Sequence, residues 1–399
     1  MKYSYKSTQR AATVINFMCL LLFVAYSCYI YLRYQYGVVA LTYFVQSEQS
    51  FVSSTSNSTW ISALLGTTLA LIPALVIMRC MHFSVRFKAL MFLPSYVVLG
   101  LLTGISPQSV YSTENTIPIL STVLLLLLSF LLIVFSQFYH ERRNEHSSFL
   151  NYFWSNALLS SLGIFFTICI TNTDRPLHVQ LSMAHALHEE DYATIERISN
   201  GETSTNNTIT AIQALALSKQ DKIADNLFAL PYLKGSASLF PDSNPASCLY
   251  HTPTLLYTHL RAVPVGRVGN VRLFLEKAVA QRQLNVLPTA ADSVKNKPLI
   301  DYYLCSLLLD KDLKGFAANL SKYYSQSTTL PRHYREALSL YYSLDVEEKR
   351  QFLDTEMDSL YNGYSKILHE HKKSLALRQK ACVVACPHTY WNYYHFTNL

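Results

Sequence analysis

Hydrophobic positions are distributed along this chain in two ways, and the change falls near residue 175. Before it apolar residues run almost unbroken; after it they recur every three or four positions. Five unbroken stretches, at about 11–32, 60–78, 89–105, 117–139 and 152–171, approach the roughly 20 helical residues needed to cross a hydrocarbon core. The fourth is the purest, with leucine at every position from Leu124 to Leu128, and the third is the shortest and contains Pro94 and Gly100. Pro73 and Pro94 would break a helix in water, whereas in a bilayer neighbouring helices re-satisfy the freed carbonyls. The first stretch has no Ala-x-Ala-like site after it and is about twice the length of a signal-peptide core, so it reads as a retained anchor.

Beyond residue 175 the periodicity predicts short amphipathic helices in pairs. Leu177–Leu187 is followed by Tyr192–Ile198, Ile209–Leu217 by Ile223–Leu230, and Thr254–Val263 by Val268–Ala280. Leu299–Leu309 is followed by Leu313–Tyr323, and Tyr334–Leu344 by Glu347–Leu360. Turn residues such as Asn200-Gly201, Lys234-Gly235, Pro241-Asp242 and Leu330-Pro331 separate the pairs, and no segment alternates as a strand would. The expected fold is therefore all-α. An N-terminal five-helix transmembrane bundle (1–175) is followed by a degenerate α-solenoid of the tetratricopeptide kind (176–399). The tetratricopeptide consensus itself is never complete.

Charge sharpens this division. Residues 1–171 carry nine Lys and Arg but only four acids, Glu48, Glu114, Glu141 and Glu145, whereas the remaining residues carry 24 basic and 22 acidic side chains. The basic excess thus belongs to the apolar half and is a topology signal, not a nucleic-acid footprint. Lys2, Lys6 and Arg10 precede the first stretch; Arg79, Arg86 and Lys88 follow the second; Arg142 and Arg143 follow the fourth. The positive-inside rule then places the N-terminus in the cytoplasm, and five crossings place the C-terminal domain on the opposite side. None of the five cores holds a charged residue or histidine, which argues against an ion-coupled carrier. Asn16, Thr67, Thr68, Gln137 and Asn156 are left to bond helix to helix.

Candidate chemistry is thin. His185 and His188 lie three apart beside Glu189 and Glu190, without the His-Glu-x-x-His order of a metalloprotease. His369-Glu370-His371 diverges around a helix. Cys382 and Cys386 are four apart, at a spacing open either to a disulfide or to two buried thiols. No phosphate-cradling glycine loop and no Gly-x-Ser-x-Gly elbow occurs, and Gly-Arg-Val-Gly at Gly266–Gly269 is too short to act as one. No metal or cofactor is expected. The residues left for interaction or capping are Arg332, His333 and Arg335, which could form an anion site at a helix start, and Tyr390, Trp391, Tyr393 and Tyr394 in an aromatic tail. That tail either caps the last helices, covering the apolar residues of Ser374–Ala385, or lies at a membrane interface.

Several segments carry a resemblance. They are Lys297–Tyr303, Leu308–Phe316, Leu330–Leu338 and the ending Thr389–Tyr394. Together they resemble a family of bacterial multi-pass membrane proteins with a C-terminal helical-repeat domain, clearest over about 180–399. The resemblance implies a Gram-negative inner-membrane setting with a periplasmic C-terminal domain, and it brings no catalytic residue. The expected function is a membrane-anchored interaction or scaffold module whose partners are the lipid bilayer and other envelope proteins. The alternative is a membrane glycosyltransferase using a lipid-linked donor, for which Glu48 and Glu114 supply one carboxylate per external loop.

Overall fold

A computed structural model describes residues 2–34, 55–81, 83–103, 116–140, 149–171, 175–201, 206–241, 252–264, 268–285, 296–324, 329–344, 352–370 and 374–398. Its described residues form helices and no strands. They divide into two compact units, Met1–His178 and Val179–Leu399.

The first unit holds α1 (Lys2–Tyr34), α2 (Thr55–Cys80), a 3₁₀ segment (Val85–Phe92) continuous with α3 (Leu93–Thr103), α4 (Thr116–His140) and α5 (Phe149–Ile170). Among the described residues four helices are long and apolar enough to cross a membrane: Arg10–Ile30, Ala63–Cys80, Val85–Thr103 and Phe149–Ile170. Of the expected five, 117–139 is not among them. Within the predicted 117–139 stretch the described apolar run is Leu126–Ser136, too short by itself. The third span also starts earlier than predicted, at Val85, and so carries Arg86 and Lys88 in its first turn.

The third span is also the most enclosed, with 56% of its apolar window buried inside the protein against 22–28% for the others. Its 3₁₀ start leaves backbone groups without α-helical partners. Asn156 of α5 supplies them: its Oδ1 accepts from Ala89 N at 2.7 Å and its Nδ2 donates to Val85 O at 2.9 Å. Pro73 disturbs α2 in the same way, and the Ser95 hydroxyl accepts the following amide, Ala74 N, at 3.1 Å. Paired hydroxyls complete the interior, Ser27 with Thr67 at 2.9 Å and Thr103 with Thr171 at 2.8 Å. Among the expected bridging residues, Asn16 reaches Met78 Sδ at 3.3 Å, while Thr68 bonds within its own helix to Leu65 O. The side chain of Gln137 lies outside the described residues. Tyr96 fills the centre, edge-on to Phe23 at 4.9 Å and pressed against Gly163. Outside this interior Leu64, Leu65, Leu69, Ile72, Leu75 and Val76 of α2 are all exposed.

The second unit, which begins within α6 (Arg175–His188), continues with α7 (Tyr192–Gly201), α8 (Asn207–Lys219), α9 (Ile223–Asn226), α10 (Thr252–Leu260) and α11 (Val271–Asn285). It ends with α12 (Lys297–Leu309), α13 (Leu313–Tyr323), α14 (Arg332–Leu344), α15 (Thr355–Glu370), α16 (Leu375–Ala385) and α17 (Tyr390–Phe396). The predicted helix Ile223–Leu230 is split, with a 3₁₀ turn at Leu227–Ala229. The start of predicted Glu347–Leu360 lies outside the described residues, and the helix observed there is α15.

One turn recurs. Helices α6, α8, α10 and α12 each end on a residue with positive φ that is not glycine: Glu190, Asp221, Arg261 and Lys311. In each case the next residue reaches back five positions. Asp191 N bonds Ala186 O, Lys222 N bonds Leu217 O, Ala262 N bonds Tyr257 O and Asp312 N bonds Leu307 O, at 2.8–3.1 Å. The positive-φ residue itself bonds three back, at 3.0–3.2 Å, to Leu187, Ser218, Thr258 and Leu308 carbonyls. These are four Schellman endings, which satisfy the orphan carbonyls of a helix and turn the chain sharply. After three of them the next helix follows almost at once. Asp312 also caps α13 through Gly315 N at 2.8 Å, and Asn270 caps α11 through Leu273 N at 3.0 Å. The core runs along α12, where every residue from Leu299 to Leu309 is buried.

Candidate functional site

Helix α14 starts at Arg332, immediately after Pro331, whose ring pre-sets the backbone for a helix start. Its first turn brings Arg332, His333 and Glu336 to one face, at three- and four-residue spacing. Glu336 is 1% exposed. A carboxylate so buried is expelled unless its lone pairs are filled, and here they are. Oε1 accepts from Arg332 Nε at 2.9 Å; Oε2 accepts from His333 Nδ1 at 2.9 Å and from Tyr390 N at 2.8 Å. The backbone carbonyl of Glu336 accepts the Trp391 indole N–H at 2.8 Å.

His333 is equally buried and equally committed. Its Nε2 accepts from Phe228 N at 3.4 Å, which assigns the ring proton to Nδ1, facing Glu336. Both ring nitrogens are therefore used internally. Arg332 is tied further by its own N–H, which donates to Asp225 Oδ1 at 2.7 Å. Arg335 points elsewhere, pairing with Asp354 Oδ2 and, at 3.1 Å, with Glu356. These bonds raise the Arg335 guanidinium pKa and hold the Asp354 carboxyl below its ordinary value. The cations proposed for an external anion thus already hold the protein's own carboxylates.

The aromatic tail forms α17 and is buried. Trp391 lies 5.3 Å from both Tyr361 and Tyr364, between them and α14. Tyr393 donates to Leu309 O at 2.7 Å and accepts from Gly235 N at 3.2 Å, and burial pushes its phenol up to about 12. Lys311 Nζ reaches Tyr394 O at 2.7 Å and Thr397 O at 2.6 Å, and lies over the Tyr393 and Tyr394 rings. The tail therefore bolts α12 and α14 together. It meets the C-terminal end of α16, where Asn392 Nδ2 donates to Cys386 O at 2.6 Å, and leaves Leu375, Leu377, Val383 and Val384 exposed. The tail's apolar rings find better-packed partners in Tyr361, Tyr364 and Phe228 than α16 offers.

Two residues that sequence reasoning passed over organise this region. Glu336 is one more charge in a polar helix start by sequence, and its spacing from Arg332 and His333 is the available signal. Asp301 is the other. It is 3% exposed, and its Oδ1 accepts the hydroxyls of Tyr324 at 2.5 Å and Tyr334 at 2.9 Å. Burial raises its carboxyl pKa even against those two donors.

The remaining candidates do not assemble. His185 is buried beside Glu189 at 3.6 Å and burial lowers its pKa, while His188 is exposed. His369 bonds Ser365 O at 2.7 Å, and His371 lies outside the described residues. Cys382 and Cys386 are free thiols, the first buried against Tyr364. Glu48, Glu114, Gly266 and Arg267 lie outside the described residues. Among the described residues no group of three His, Cys, Asp or Glu could hold a metal ion.

A family of unknown function, DUF6057, matches residues 1–260 and 268–397 of the chain. No curated protein and no solved structure matches it.

Proposed function

The chain belongs to that family of unknown function, and from this premise we propose that it is a membrane-anchored interaction module with a degenerate tetratricopeptide-like domain in the bacterial periplasm. The observation that carries the reading is the apolar outer surface of the first unit. Its interior is bonded by hydroxyls and by Asn16 and Asn156, while large apolar side chains of α2 and α5 face outward. In water such a surface would drive association, whereas lipid accepts it.

The repeated Schellman ending supports the helical-repeat reading, because it builds the same sharp helix-to-helix turn several times along one unit. Stacked hairpins of this kind present extended surfaces for protein partners, here other envelope proteins. The reactive-looking groups around Glu336 support binding over catalysis, since each is spent on internal bonds.

In this proposal α4 is a fifth crossing. The helix is 25 residues long and uncharged from Thr116 to Tyr139. Five crossings from a cytoplasmic N-terminus carry Val179–Leu399 to the periplasm. Alkaline-phosphatase fusions test this: a fusion after residue 399 is expected to be active and one at residue 84 inactive. An inactive fusion at 399 beside an active one at 84 would reverse the topology, and inactivity at both would leave four crossings. Site-specific photo-crosslinking from the second unit, in cells, then reads whether proteins contact it.

A further inference from the structure

Helix α16 meets the rest of its unit along a narrow edge. Cys382 is its one buried residue, while Leu375, Leu377, Val383 and Val384 are 66%, 61%, 42% and 75% exposed. At roughly 100° per residue, Ala376, Leu377, Val383 and Val384 lie on the side away from Cys382, with Lys380 among them. This is an apolar arc of two turns, and the tail, which meets α16 only at its C-terminal end, leaves it exposed.

The segment that carries it has charge of one sign. From His371 to Leu399 the sequence has Lys372, Lys373, Arg378 and Lys380 and no Asp or Glu, whereas 176–370 carries 19 basic and 21 acidic residues. A second copy of this face would set Lys380 against Lys380, which like-charge repulsion disfavours. An apolar arc with one cation, Lys380, set into it matches the surface of an anionic bilayer. There Leu and Val side chains enter the headgroup boundary, and lysine extends its stem along them to reach phosphate.

We propose that α16 lies on an anionic phospholipid surface, with Leu377, Val383 and Val384 inserted and Lys380 on the lipid phosphates. The proposal rests on the membrane reading above. It adds a second, peripheral lipid contact that is sensitive to headgroup charge.

The test uses the full chain in nanodiscs, with a genetically encoded fluorophore at position 384, at position 72 on the apolar face of α2, or at exposed position 196. Nitroxide-bearing lipid and aqueous iodide are the two quenchers. In phosphatidylglycerol discs, lipid quenching is expected at 384 and 72 and iodide quenching at 196. In phosphatidylcholine discs, 72 stays quenched by lipid while 384 becomes accessible to iodide. Lys380→Gln should reduce the lipid-bound fraction at 384 roughly fivefold. Iodide access at 384 in anionic discs, with 72 still quenched by lipid, overturns the proposal alone. Shielding of 384 from both quenchers also overturns it, because protein then covers the face. Loss of lipid quenching at 72 as well overturns the membrane reading with it.

Discussion

Trp391 and Glu336 are joined twice over: the indole N–H reaches the Glu336 carbonyl at 2.8 Å, and the amide preceding Trp391, Tyr390 N, reaches the Glu336 carboxylate at 2.8 Å. Helix α17 is thereby fixed at its first turn to α14. Trp391→Ala empties a site between two tyrosines and removes the indole bond to a carbonyl that keeps only its Ser339 and helical partners, so it should destabilise by about 3 kcal/mol or more. Trp391→Phe should retain a good part of this. Chemical denaturation of the detergent-solubilised full chain measures both, and an unchanged midpoint for the alanine variant would show that the tail contributes little.

Glu336 and His333 should act as one group. Glu336→Gln leaves the buried imidazole N–H and the Arg332 guanidinium without their anion, at a cost of about 2–4 kcal/mol. His333→Ala alone should be milder. A double-mutant cycle is expected to give a coupling of about 1–3 kcal/mol; additive losses would deny the bond its role.

Much of this region was legible in the sequence and its organising residue was not. The helices of the second unit follow the apolar period closely, and Leu313–Tyr323 is found with the predicted boundaries. Trp391 announces a buried ring by its size. Glu336 is different, because its burial is decided by Phe228, Tyr390 and Trp391, whose chain separation from α14 no local pattern encodes. For the same reason the cover expected over α16 went instead to Tyr361 and Tyr364. In the first unit the 3₁₀ start of the third span was hidden, since its stability depends on Asn156, 67 residues from Ala89.

Glu190 closes α6 at a φ of 59°, a conformation in which its Cβ is crowded. Glycine meets no such penalty there. Glu190→Gly should stabilise the protein by roughly 1 kcal/mol, because the ion pair it gives up, with Lys219 at 3.5 Å, is open to solvent at its Glu190 end and such pairs contribute little. A lowered melting temperature would count against the Schellman assignment.

Gly163 permits the contact at the centre of the first unit. A Cβ there would lie 2.3 Å from Tyr96 Cδ2, and Phe23 blocks retreat of that ring. Gly163→Ala should therefore destabilise by about 1–3 kcal/mol, with partial recovery when Tyr96→Leu is added. Thermal unfolding in detergent decides it, and an alanine variant as stable as the parent would refute the packing.

His395 stacks on Tyr364, and its Nε2 is buried without a partner. Burial, with Lys311, His369 and Arg378 nearby, lowers its pKa below the ordinary 6.5. The unfolded chain then binds this proton more readily than the folded one. The His395 contribution is present above about pH 6.5 and is lost as pH falls toward the lower folded value. His395→Phe should raise stability and flatten the slope of melting temperature between about pH 6.5 and 5. His185 and His259, also lowered by burial, keep their own share. An unaltered slope would exclude His395 as a contributor.

The four Schellman endings sit at Glu190, Asp221, Arg261 and Lys311, separated by 31, 40 and 50 residues. What repeats is thus punctuation, not length. A hairpin defined by its turn tolerates additions in the stretch leading to the next hairpin, because that stretch closes no bond within the turn. Natural variation, and any engineered insertion, should therefore gather between hairpins and spare the turns, so that the surface offered to partners can be redrawn while each hairpin keeps its shape.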